Sequence, residues 1–193
     1  MNASLLQQAA AVTLRILLFR AGPQDFPHVP QLVVPLPLAA VAAYFVLFAV
    51  VLPAGPSLVL GVLSVAALAL VTHSLLSARK VVNRFQQTYH ALITTGLVLT
   101  IASIPPMAAL APALKQIAAN PDLLQQPGSV ESPALASLLL NLLNIWNFAV
   151  YAHIFRHAAE TRLMTGVLIA LFVVLSVLLI SMLFAQMLIP LLR

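Results

Sequence analysis

The chain has 193 residues, of which 62% are hydrophobic and only 7% charged, with a formal net charge of +5. A soluble domain carries about a quarter charged residues, so a mean hydropathy of +1.07 excludes a water-soluble globule and indicates an integral membrane protein. The lack of cysteine excludes disulfides and thiolate metal sites.

The first stretch, MNASLLQQAAAVTLRILLFR, has an apolar run with no basic residue ahead of it, and Arg15 interrupts it. A signal peptide has a charged start followed by an unbroken apolar run, so the pattern predicts a helix over 3–20 lying in the cytoplasmic interface, with Gln8 and Arg15 on its wetter side. The Asn2-Ala-Ser triplet fits the glycosylation pattern but falls on the cytoplasmic side, where it carries no weight. Pro23, Pro27, Pro30, Pro35 and Pro37 prevent continuation of the helix and predict an extended connector. Residues 1–32 thus form an interfacial helix and connector, and 33–193 a transmembrane domain.

A hydrocarbon core about 30 Å thick takes roughly 20 apolar residues as helix. Five stretches qualify, at about 33–52, 57–77, 88–112, 134–155 and 164–189. The expected fold class is therefore all-α, a polytopic bundle of five transmembrane helices plus the N-terminal amphipathic helix. Ala39 and Ala43 form a small-xxx-small pair in the first span, and LPAGPS makes a tight turn into the second. Pro105 and Pro106 predict a kink or break near the far end of the third, and 113–133 reads as the longest loop.

With five spans the termini lie on opposite sides. An N-terminus in the cytoplasm puts Arg15, Arg20, Arg79, Lys80, Arg84, Arg156 and Arg162 inside, against Lys115 and Arg193 outside. Seven against two is the positive-inside pattern, so the expected topology is N-in and C-out.

No phosphate-binding glycine loop, HExxH, GxSxG or carboxylate pair occurs. Asp25, Asp122, Glu131 and Glu160 all fall in connections rather than spans. A carboxylate-driven transporter keeps an acid at mid-membrane depth, which weakens a transport reading, and no enzymatic activity is expected.

The histidines gather toward one membrane face. His73, His90, His153 and His157 lie at the cytoplasmic ends of spans, and His28 lies in the connector. His153 and His157 are one helical turn apart, a spacing that lets two imidazoles reach one ion, with His73 or His90 as further ligands. Neutral imidazole suits a divalent metal, and haem needs one or two axial histidines. An ordinary interfacial cluster, packing beside Tyr89, Arg156 and headgroups, is the favoured reading, and no cofactor is expected.

The stretch NLLNIWNFAVYAHIFRH carries two faces. At 100° per residue, Asn141, Asn144, Asn147 and Tyr151 share one side, and His153 and His157 lie roughly opposite. Amides in hydrocarbon must find partners. The stripe therefore reads as glue between helices or, alternatively, as a polar groove for a lipid headgroup or small solute. Thr94, Thr95, Thr100 and Ser103 are candidates for its facing wall, and Trp146 is expected to pack on a neighbouring span. In SARKVVNRFQQTYH, Arg79, Lys80 and Arg84, with Arg156 nearby, meet anionic headgroups on the cytoplasmic side or simply set topology.

The layout resembles the Yip (Ypt-interacting-protein-like) family: a cytoplasmic N-terminal segment, five closely spaced spans, short loops and an external C-terminus. RFQQTYHALITTG and WNFAVYAHIFRHAAE are similar to segments of small bacterial inner-membrane proteins with that layout, through Arg84, Phe85, Gln87 and Thr88, then His153, Ile154, Arg156 and His157. The resemblance implies a bacterial inner-membrane location and a non-enzymatic role in membrane organisation, lipid handling or partner recruitment. Expected partners are membrane lipids and either further copies of the chain or another membrane subunit, with no nucleic acid.

Overall fold

The computed structural model describes residues 3–27, 30–125, 130 and 133–188. Asn2, His28, Glu131 and Arg193 lie outside them. Six α-helices are present, and no strand occurs among the described residues: α1 Ala3–Leu17, α2 Pro35–Ala49, α3 Ala54–Ala78, α4 Phe85–Ala119, α5 Ala134–Ala158 and α6 Leu163–Leu188. Five of them, α2 to α6 with their short flanking turns, are long and apolar enough to cross a membrane. The protein is an all-α, multi-pass membrane bundle.

The spans form a ring. Helix α2 packs on α3, α3 on α6, α6 on α5, α5 on α4, and α4 returns to α2. Lipid tails are as apolar as leucine, so close approach rather than hydrophobicity holds such helices together. Small residues mark the contacts. Gly61 of α3 brings its Cα against the α2 backbone, so that a Cβ there would lie 3.1 Å from the Val41 carbonyl. Gly166 of α6 does the same to α5, where a Cβ would lie 2.7 Å from the Ala152 carbonyl oxygen. In α2 the buried small pair is Ala40 and Ala43, and Ala39 is exposed, so the expected Ala39–Ala43 seam is turned by one residue.

Helix α4 corrects two expectations. Of the kink or break that Pro105 and Pro106 predict, the break does not occur, since the helix runs continuously through them and Pro112, and it continues to Ala119, into the stretch read as loop. The extension ALKQIAA consists mostly of good helix formers, and the helix stops where Asn120 precedes Pro121. A short 3-10 turn, Pro121–Gln125, follows.

Helices α3 and α5 end alike. Lys80 (φ 59°) and Glu160 (φ 49°) take the left-handed conformation, Val81 N–H donates to the Leu76 carbonyl and Thr161 N–H to that of Arg156, both at 2.9 Å. These are Schellman caps without glycine. Phe19 (φ 58°) ends α1 in the same way, with Arg20 N–H donating to Arg15 at 2.7 Å.

Helix α1 is amphipathic as expected; protein covers one part of its apolar surface, while Leu6 and Leu14 stay exposed. Ala9, Thr13, Ile16 and Leu17 are buried, and α1 packs on α4 and α5. The connector after it is held just as closely, with Phe26 and Leu32 each only 1% exposed.

Candidate functional site

The whole of NLLNIWNFAVYAHIFRH lies within α5, and its two faces do different things. The histidine face receives the N-terminal segment. Trp146, the central residue of α5, donates its indole N–H to the Leu17 carbonyl at 3.2 Å. Phe19 packs on Trp146 (centroids 5.4 Å apart) and edge-on to His153 (5.3 Å). Trp146 therefore packs on the N-terminal segment rather than on a neighbouring span.

His153 Nε2 lies 2.9 Å from the Ala21 carbonyl oxygen. A carbonyl only accepts, so Nε2 carries the proton and donates. Residues 17–24 thus run along α5 from its middle toward its C-terminal end. The left-handed Phe19 aims its ring into this contact; such a conformation costs energy and persists only where surrounding contacts hold it.

The structure brings together one pair of the four histidines proposed as ligands. His153 and His157 have ring centroids 4.6 Å apart. His73 instead packs edge-on to Phe85 (5.2 Å), and the buried His90 packs against Phe26 (5.8 Å). Among the described residues, no three His, Asp or Glu side chains gather as a metal-ligand group. The reason is sequential: the connector inserts Phe26 beside His90 and carries Ala21 to His153, and each imidazole is matched to a packing partner.

The basic residues also divide. Arg84 forms an ion pair with Glu160, and its Nη1 donates to the Ala158 carbonyl at 3.3 Å, closing the end of α5 onto the start of α4. Gln87 donates to the carbonyls of Phe26 (3.0 Å) and Gln24 (3.3 Å) from the same edge. These groups line a cleft of about 320 Å³ with Pro23, Thr88 and His157. Arg79, Lys80 and Arg156 are exposed, whereas Arg84 is already committed.

The asparagine face splits by depth of packing. Asn141 and Asn144 are exposed, Asn147 is half-buried and Tyr151 is buried. Around the first two lie Leu138 (55% exposed), Leu142 (54%) and Ile145 (66%). Of the expected threonine wall, Thr100 shares a hydrogen bond with Tyr44 of α2, and the other three hydroxyls are held by α4 itself. Thr94, Thr95 and Ser103 are buried and donate to carbonyls of their own helix, those of His90 (2.9 Å), Ala91 (2.7 Å) and Leu99 (2.8 Å). Asn147 and Tyr151 instead join Tyr44 of α2, Ser64 of α3 and Ser181 of α6 around a cavity inside the ring. Tyr44 is the lone polar residue of α2, whereas Ser64 and Ser181 are each one of several polar residues in their spans, so nothing in the sequence marks them out.

Compared with known proteins, the chain matches no family model, no curated protein and no solved structure.

Proposed function

We propose that this integral membrane protein is non-catalytic and works by lateral association in the bilayer, with a second copy docking along the N-terminal half of α5. The observation that carries the reading is the exposure of Asn141 and Asn144 within an otherwise apolar surface. An amide left facing hydrocarbon loses its hydrogen bonds, at a cost of several kcal/mol by transfer measures. A facing helix that supplies polar partners removes that cost.

The choice of a second copy follows from symmetry. Copies inserted in the same direction are related by a twofold axis along the membrane normal, which puts identical residues at identical depth. An amide both donates and accepts, so it pairs with its own counterpart. Leu138, Asn141, Asn144 and Ile145 fall within about 120° of one another at 100° per residue, a stripe of the width one packed helix covers. A membrane-organising or accessory-subunit role of this kind is also what the Yip-like layout implies.

The orientation follows from the charges. Arg79, Lys80, Arg84, Arg156 and Arg162 cluster at the α3–α4 and α5–α6 turns, and Lys115 lies toward the other end of α4. Those turns are accordingly cytoplasmic, in a bacterial inner membrane, with Arg79, Lys80 and Arg156 contacting anionic lipid.

The test is Förster transfer between labelled copies in lipid vesicles over a range of dilution. Concentration-dependent transfer that weakens in the Asn141→Leu/Asn144→Leu variant supports the reading. Transfer no greater than that of a non-associating control would remove it.

A further inference from the structure

The cavity enclosed by the ring has a volume of about 310 Å³ and is partly open. It is walled by α2, α3, α5 and α6: Ser64 and Asn147 lie near the middle of Ala54–Ala78 and Ala134–Ala158, and Tyr44 and Ser181 lie inside Pro35–Ala49 and Leu163–Leu188, nearer their C-terminal ends. A cavity at this depth normally has hydrocarbon walls. This one collects five polar side chains, the four contributing hydroxyl or amide groups just named and Tyr151.

Two of these groups are unsatisfied within the protein. Among the described residues, Asn147 Oδ1 and Ser181 Oγ have no hydrogen-bond partner, and Ser181 is more than nine-tenths buried, at 8% exposure. Buried polar groups are nearly always paired, so both point to something held between them. Elsewhere in the bundle, hydroxyls such as those of Thr95 and Ser103 close onto their own helix. Thr72 Oγ1 is also unpartnered, and what distinguishes Asn147 and Ser181 is that both line one cavity.

The lining also limits the chemistry of the occupant. No residue around the cavity carries a charge, and an ion without a counter-charge is not stable at this depth. The occupant is therefore neutral. It must offer a donor to Asn147 Oδ1 and engage Ser181 Oγ, and a hydroxyl does both because it donates and accepts. The remaining walls, including Phe48, Leu60 and Leu178, are apolar and take a hydrocarbon portion. We propose that this cavity is a binding site for a neutral, hydroxyl-bearing amphiphile, its hydroxyl held between Asn147 and Ser181 and its chain against α3 and α6. The site goes beyond the self-association proposed above, which uses the opposite end of the asparagine stripe, and the two stand or fall separately.

The experiment uses the full chain in phosphatidylcholine nanodiscs with a diazirine-bearing octan-1-ol as photoreactive probe. Peptide mass spectrometry is expected to place the adducts on the cavity walls of α3 and α6. Excess octan-1-ol should suppress labelling, n-octane should not, and Asn147→Leu/Ser181→Ala should reduce it about tenfold. If that double variant loses its native elution volume, Ser64→Val on the opposite wall carries the same expectation. Adducts spread over lipid-facing positions such as Leu168 and Phe172, or equal competition by n-octane, would overturn the proposal. Mass spectrometry of organic extracts then separates the sources: a stoichiometric mono- or diacylglycerol identifies a lipid occupant, and positive labelling without one identifies a solute alcohol.

Discussion

His153 donates a hydrogen bond to the carbonyl of Ala21 across 132 positions of sequence, at 2.9 Å, with the edge of Phe19 against the same imidazole. That contact, with Trp146 on Leu17, fastens the N-terminal segment along α5. The histidine end of the helix is thus committed to holding the chain's own backbone.

Breaking this fastening has a local signature. His153→Ala removes a hydrogen bond worth about 1 kcal/mol together with the Phe19 contact. Hydrogen exchange of residues 17–26 is expected to rise while the spans keep their protection. His153→Gln, which retains a donor, should restore part of the protection. Unchanged exchange in His153→Ala would show that the imidazole is incidental to docking.

The α5–α6 contact depends on the missing side chain at Gly166. A methyl there would lie 2.7 Å from the Ala152 carbonyl oxygen and 2.8 Å from Arg156 Cβ. Gly166→Ala is expected to cost about 1–3 kcal/mol by overpacking. At Gly96 the nearest atom is the Tyr151 hydroxyl at 3.4 Å, and at Gly55 nothing lies within 4 Å. Thermal unfolding in detergent should rank Gly166→Ala well below Gly96→Ala, with Gly55→Ala equal to or above the parent.

The glycine-free caps make an opposite prediction. Lys80 is exposed and takes φ 59°, so Lys80→Gly relieves a left-handed conformation worth about 1 kcal/mol. Its midpoint of unfolding should rise. Glu160→Gly should not gain as much, because it also removes the partner of Arg84. An equal rise in both would show that the ion pair contributes nothing.

Lipid contact should follow the division among the basic residues. Native mass spectrometry with anionic lipid is expected to show fewer bound molecules in Arg79→Gln/Lys80→Gln/Arg156→Gln, at about 1 kcal/mol per charge. Arg84→Gln should change lipid binding little, since its guanidinium is engaged by Glu160 and Ala158. A larger effect at Arg84 would reverse that assignment.

These residues also show what the sequence reveals and what it conceals. Span number and approximate limits are legible because each span is a long run of apolar residues bounded by turn formers or charge. The two-faced character of α5 is legible because asparagines at 141, 144 and 147 keep helical spacing. Ring order is not legible: α2, α3 and α6 are apolar all round, so no face marks its partner. The fate of His90 and Trp146 is equally hidden, because it depends on a connector whose prolines say only that it is not helical. The continuity of α4 through Pro105 and Pro106 runs against the local helix-breaking signal, which membrane helices tolerate where neighbouring groups satisfy the backbone that proline frees. Tyr44, Ser64 and Ser181 are each unremarkable in sequence and form a cluster only once the ring closes.

Association through α5 is tested most directly by cross-linking in the native membrane, and the cysteine-free chain allows it without background. Single cysteines introduced as Leu138→Cys or Ile145→Cys flank Asn141 on the exposed stripe, and Phe172→Cys on α6 is equally exposed, at 59%, and serves as the control. The account predicts oxidative dimers from the two α5 positions and not from α6. Adding Asn141→Leu/Asn144→Leu should reduce their yield about tenfold, the equivalent of about 1.4 kcal/mol and within the range of two interhelical amide bonds. Equal dimer yield from Phe172→Cys, or dimers indifferent to the loss of both asparagines, would contradict it.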